Sequence, residues 1–170
     1  MPDQAWYSAI LDGDCRPFTT VAEIIAQTAA PGCLVVADPV EGYNPMHDLC
    51  SAIADRVAAL VGGSRASYPL TQPAKGGAVT VLDTAAQANK RAALDDYTPL
   101  QHEIREMLRV DPDALAVEQI VTADYDWPET PDRQPGYETF GSDRTAAGVY
   151  LQTITYREHV RPMAIKLREL

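Results

Sequence analysis

The chain has 170 residues, 46% of them hydrophobic, with a formal net charge of −10 and a pI near 4.6. That length and apolar content suit one domain with a real core and exclude wholesale disorder. The acidity, with 14 scattered basic residues, excludes a phosphate-gripping nucleic-acid binder, and no run approaches the roughly 18 apolar residues of a membrane span.

The opening AWYSAIL is apolar but short, and its residues leave a strand and a helical turn equally open. The acidic MPDQAWYSAILDGD lacks the pattern of a signal peptide, so the expectation is a protein made and kept in a reducing cytoplasm. Thr20 and Glu23 stand at capping-box spacing, and Val21, Ile24, Ile25 and Thr28 follow one helical face up to Pro31-Gly32. CLVVA, Cys33 to Ala37, reads as a short buried strand closed by Asp38-Pro39. The clearest helix follows. Asn44 is a good N-cap, Pro45 fits the first helical position, and Asp48 complements the positive helix end. Met46, Leu49, Cys50, Ile53, Val57, Leu60 and Val61 recur at spacings of three and four, and Gly62-Gly63 stops the helix.

Residues 64–77 read as a loop and Ala78 to Leu82 as a strand. TAAQANKRAALDDY has strong helix formers but few large apolar residues, which predicts an exposed helix or a mobile crossover. Thr98-Pro99-Leu100-Gln101 opens a further helix with Leu100, Ile104, Met107 and Leu108 on one face. VEQIVTADYDW then alternates like a half-buried strand, and GVYLQTITYREHV is rich in β-branched and aromatic residues. Val117–Trp127 and Val149–Tyr156 are therefore expected to pair antiparallel as a hairpin, with residues 128–146 as a long projecting arm. The final MAIKLREL suits a short helix or a strand extension. The order helix, strand, helix, strand, helix, strand, strand predicts a single α+β domain over residues 1–170, with a mixed or antiparallel sheet packed by two to three helices.

The chemistry-bearing residues make no diagnostic motif. Cys15, Cys33, His47 and Cys50 could be assembled into a zinc site, since His47 and Cys50 share a helix face. Without a Cys-x-x-Cys step the stronger reading has Cys33 and Cys50 buried as free, unmetallated small hydrophobes. An odd cysteine count also does not suit a secreted disulfide framework. Asp124, Asp126, Glu129 and Asp132 surround a tryptophan and could serve as acid and base or hold Mg²⁺, but they read better as a solvated face. Gly62-Gly63-Ser64 closes a helix and Gly76-Gly77 precedes a strand, so neither suits a phosphate cradle. His102 and His159 read as surface or internally satisfied histidines. No cofactor is implied.

TADYDWPETPD followed by GVYLQTITYR resembles the C-terminal end of phage tail-terminator proteins of the lambda-like type, where an aromatic-acidic strand, a polar loop and an aromatic-threonine strand complete the sheet. The helix from Thr98 to Arg109 sits where that family also has one. The first sixty residues depart from the family, in which one long helix precedes the strands. The resemblance implies a non-enzymatic α+β virion subunit at the tail or neck. It would close into a hexameric ring that ends the tail tube or connects it to the head, with other tail or neck proteins as partners. Tyr137 and Phe140 in the arm, with Trp127, Arg133 and Arg144, are then the interface candidates. Two other classes remain open: an acidic immunity-like or inhibitor-like module, and a small soluble enzyme with an unrecognised site.

Overall fold

The computed structural model describes residues 3–68, 76–110, 115–122 and 125–170. Their secondary structure is α+β, and they belong to two compact units. One is made of Met1–Gln72 and Thr122–Leu170, the other of Pro73–Val121.

The first unit is organised around a helix in the middle of its sequence. Helices α1 (Asp3–Leu11) and α2 (Arg16–Thr28) lead into strand β1 (Leu34–Ala37), helix α3 (Pro45–Val61) and strand β2 (Ser64–Ser67). Asn44 caps α3 as its sequence predicts: its side-chain oxygen accepts the Met46 amide at 2.8 Å, and Pro45 follows. Gly62 ends the helix in the left-handed region, φ 63°, where a Cβ would be strained. Leu49, Ile53 and Val57 are buried along the expected stripe, whereas Leu60 is exposed. The helix is the crossover between β1 and β2, which pair in parallel from Leu34 with Ser64 to Ala37 with Ser67, and it packs on both strands. Residues 64–67 thus form a strand where the sequence predicted a loop. Strand β1 alternates between exposed and half-buried residues, so the expected burial of CLVVA is corrected.

Helix α3 also packs against α2 and against the C-terminal helix α7 (Arg161–Glu169). Phe18, Ala22, Leu49, Ala52, Val57, Val160, Met163 and Leu167 form the shared core. Asp55 on α3 fixes this arrangement from its edge: it accepts from Arg65 Nε of β2 at 2.6 Å and faces Arg168 Nε of α7 at 3.2 Å. Helix α2 begins at Arg16, so Thr20 lies inside the helix and the Thr20–Glu23 pair does not cap it.

The expected C-terminal hairpin is not present. Residues 149–155 contain no strand, and Gly136–Ala146, placed by the sequence in an unstructured arm, form helix α6. After α6 the chain reverses, with the Val149 and Tyr150 amides donating to Arg144 O at 2.9 and 3.2 Å. It then enters a π-helical turn over Tyr156–Val160 that continues into α7. Thr155 caps that turn by accepting the Glu158 amide at 3.3 Å.

In the second unit, strand β3 (Ala78–Val81) pairs antiparallel with β4 (Val117–Thr122), Ala78 opposite Ile120 and Val81 opposite Val117. The Val117 strand therefore pairs with β3, and not with residues 149–156, which form no strand. Asp83 caps α4 (Thr84–Asp96) by accepting the Ala86 amide at 2.8 Å. That helix buries no residue, as its composition predicts. Lys90 on α4 pairs with Glu118 on β4. A 3₁₀ turn over Thr98–Leu100 leads into α5 (Gln101–Val110), where Ile104 and Leu108 are half-buried. The side chains of Leu100, His102 and Met107 lie outside the described set.

Candidate functional site

Two features of the first unit carry chemistry beyond packing. One is a cleft of about 590 Å³ beside the start of α3. Its floor is Asp48, which is only 1% exposed. Asp48 Oδ1 accepts the amides of Glu41 and Gly42, each at 3.0 Å, so the turn before the helix wraps the carboxyl. Gly42 has φ +69°, and a Cβ there would lie 3.1 Å from Pro135 Cα. Only glycine suits both the backbone and that approach. The Gly42 carbonyl in turn accepts the Gly136 amide at 2.7 Å, tying the turn to the start of α6. Asp48 Oδ2, the other carboxyl oxygen, is buried without a hydrogen-bond partner in this structure, as are Trp127 Nε1 and Tyr137 Oη.

Tyr125 and Tyr156 form another side of the cleft. Trp127 holds them. Its ring stacks on Tyr156 at 6.2 Å with planes 13° apart and meets Tyr125 edge-on at 5.2 Å. Trp127 has φ 51°, a strained value for a bulky residue. Burial of the indole and donation from Arg161 Nε to the Trp127 carbonyl at 2.9 Å keep it there. Tyr156 Oη donates to the Pro128 carbonyl at 2.9 Å. Burial pushes the Asp48 carboxyl up to about 6, against the opposing pull of the two amides. Burial likewise raises the Tyr125, Tyr137 and Tyr156 phenols. The cleft thus presents neutral phenols around a carboxyl that titrates near neutrality.

The other feature is an exposed aromatic patch on α6 and the reversal after it. Phe140 is 53% exposed, and the Arg144 guanidinium carbon lies 5.0 Å from its ring centroid. Tyr150 meets Phe140 edge-on at 6.4 Å. Val149 is exposed beside them in sequence, and Leu151 is fully so.

Comparison with protein-family models, curated proteins and solved structures found no match.

The five interface candidates separate in the structure. Phe140 and Arg144 come together on the exposed patch. Trp127 and Tyr137 are core residues, so the placement of Tyr137 in a projecting arm is corrected. Arg133 is exposed on the cleft wall. The zinc candidates do not assemble: among the described residues no three His, Cys, Asp or Glu side chains are gathered for a metal. Cys15 is buried, and Cys33 and Cys50 are half-buried and not buried as expected; all three are free thiols. His47 Nδ1 lies 3.1 Å from Asp38 Oδ2, and Asp38 also accepts from the Tyr68 phenol at 2.5 Å. That bond to Asp38 pushes Tyr68 up to about 12. Burial raises the Cys50 thiol, the opposite of what activates a nucleophilic cysteine.

Of the acidic group, Asp124 lies outside the described residues, Asp126 is exposed, Glu129 faces Arg157 at 3.4 Å, and Asp132 lines the cleft. His159 is buried and internally satisfied, as expected: Nδ1 accepts the Thr155 amide at 3.0 Å, and Nε2 lies 3.2 Å from Gln152 Nε2. Sequence reasoning read Asp48 only as a helix-end charge. Its one local signal is an acid directly beside Leu49 on the buried stripe.

Proposed function

We propose that this chain is a non-enzymatic structural subunit that associates with further copies of itself. The finer form is a ring at the tail or head–tail junction of a phage particle, ending the tail tube or joining it to the head. The observation that carries the reading is the patch of Phe140, Arg144, Tyr150 and Leu151. Aromatic residues and arginine are enriched at protein interfaces and supply much of their contact energy, and a fully exposed leucine beside them gains most from being covered. In the second unit, Val79, Val81 and Val117 are also exposed on one face of the β3–β4 ladder. The negative charge suits a ring that lets DNA pass without holding its phosphates. The tail-terminator resemblance keeps the Thr98 helix and the Val117 strand but loses its closing strand at 149–156, so the patch supports self-association more directly than the resemblance does.

Light scattering on the purified chain, followed by negative-stain microscopy, tests the reading. The wild type is expected to form a closed oligomer. The double variant Phe140→Ser, Leu151→Ser should be monomeric, with a melting temperature within a few degrees of wild type, since both side chains are exposed. A wild type that stays monomeric alone and with tail components would remove the reading. A salt-sensitive one-to-one complex with a basic protein would favour the immunity-like class instead.

A further inference from the structure

We propose that the cleft over Asp48 binds a primary alkylammonium group, from a small amine or from a lysine side chain. The inference stands apart from the assembly reading, since none of the patch residues lines the cleft.

The floor requires a donor. Asp48 Oδ1 is committed to the Glu41 and Gly42 amides, while Oδ2 is left without one. A buried acceptor left unpaired costs the desolvation of that group, so a ligand that donates to it gains more than an exposed hydrogen bond would supply. The lining points to a cation. Its charged residues are Glu41, Asp48, Asp132 and Arg133, three acids against one base, and the chain as a whole is acidic. Tyr43, Tyr125 and Tyr156 and several prolines complete the wall, surfaces that take an alkyl stem and favour a nearby cation. An ammonium has three donors on a compact head, enough for Oδ2 and neighbouring oxygens together. A quaternary ammonium has the same charge but no N–H and would leave Oδ2 unpaired. The built frame suits recognition: Gly42 against Pro135 and the strained Trp127 hold the two sides without a ligand.

Binding should require the ionised carboxyl. Asp48 is faced by Glu41 from the turn, His47 from its own helix, and Tyr125, Tyr137 and Tyr156 from the opposite side. The variant Asp48→Asn separates its titration from theirs while keeping an oxygen for the two amides.

The test is titration calorimetry of the full chain with n-butylammonium at pH 7.5 and pH 5.0, beside tetramethylammonium at equal ionic strength. Saturable n-butylammonium binding is expected at pH 7.5, weaker by about tenfold at pH 5.0, where a carboxyl of pKa near 6 is mostly protonated. Tetramethylammonium should bind at least several-fold more weakly. Asp48→Asn should lose binding at both pH values while melting as cooperatively as wild type. Should that variant not fold, Tyr125→Ala serves in its place and should weaken binding severalfold. A blocked lysine peptide compared with its norleucine counterpart identifies the source: selective lysine binding assigns a protein partner, and amine binding without it assigns a small molecule. No saturable amine binding, equal binding of the two ammonium ions, or binding retained in Asp48→Asn would each overturn the proposal.

Discussion

Asp48 is the only acidic side chain among the buried residues of the described core, and its titration opposes folding. Its carboxyl is held near 6 in the native state against an ordinary value of 3.8, so between those values the folded chain binds more protons than the unfolded one. Stability therefore falls as pH rises from about 4 to about 6, and the cost is complete above that window. At about 1.4 kcal/mol per pH unit, ionisation costs on the order of 3 kcal/mol. Asp48→Asn should remove this slope, so urea melts of wild type and variant should converge near pH 4 and separate near pH 7.5, with the variant the more stable. A slope that persists in the variant would assign it to other groups. The aromatic residues show a second contrast. Trp127→Ala should cost about 3–5 kcal/mol because the indole is buried and stacked on Tyr156, while Phe140→Ala should cost under about 1 kcal/mol. The sequence does not separate the two: both lie among prolines, glycines and charges, and burial depends on a turn whose strained tryptophan no local pattern reveals.

At the scale of elements, legibility followed the strength of local signals. Helix α3 was readable from end to end because Asn44, Pro45 and Gly62 each have a fixed geometric use there. Asn44→Ala should cost about 1 kcal/mol, and Asn44→Asp should restore most of it; equal loss in both variants would show that the cap bond at 2.8 Å contributes little. The stretch from 149 to 156 misled for an equally physical reason. Its β-branched and aromatic residues have strand propensity, but such propensity acts only where a partner strand lies alongside, and among the described residues none pairs with 149–156. Thr155 and Glu158 stand at capping-box spacing and were the available sign of a helical start. Pro162 explains the widened turn that precedes α7: it has no N–H to donate, and its ring crowds the carbonyl four residues back. The cleft was less legible still, because Asp48, Tyr125 and Tyr156 converge only through contacts far apart in sequence.

For the molecule as a whole, the two units differ in what they bury. The core residues clustered around α3 all belong to the first unit, whereas α4 buries nothing and all four residues of β3 are exposed. Native-state amide exchange should therefore be faster in Thr84–Asp96 than in Pro45–Val61 by orders of magnitude, because few buried contacts oppose local opening there. Comparable protection in the two helices would mean that α4 is covered in solution.

The packing of α3 against α7 also governs how the protein is born. About a hundred residues of chain separate these helices. At roughly 5–20 residues per second, a ribosome takes on the order of 5–20 s to make that stretch, and Leu49, Ile53 and Val57 wait throughout for Met163 and Leu167 to arrive. The nascent chain therefore carries α3 with α2 and its two strands against it, but with the side that α7 covers bare, during most of its synthesis. A message truncated before Tyr156 would leave that side of the helix permanently open, a product for chaperones and proteases and not a shorter working protein.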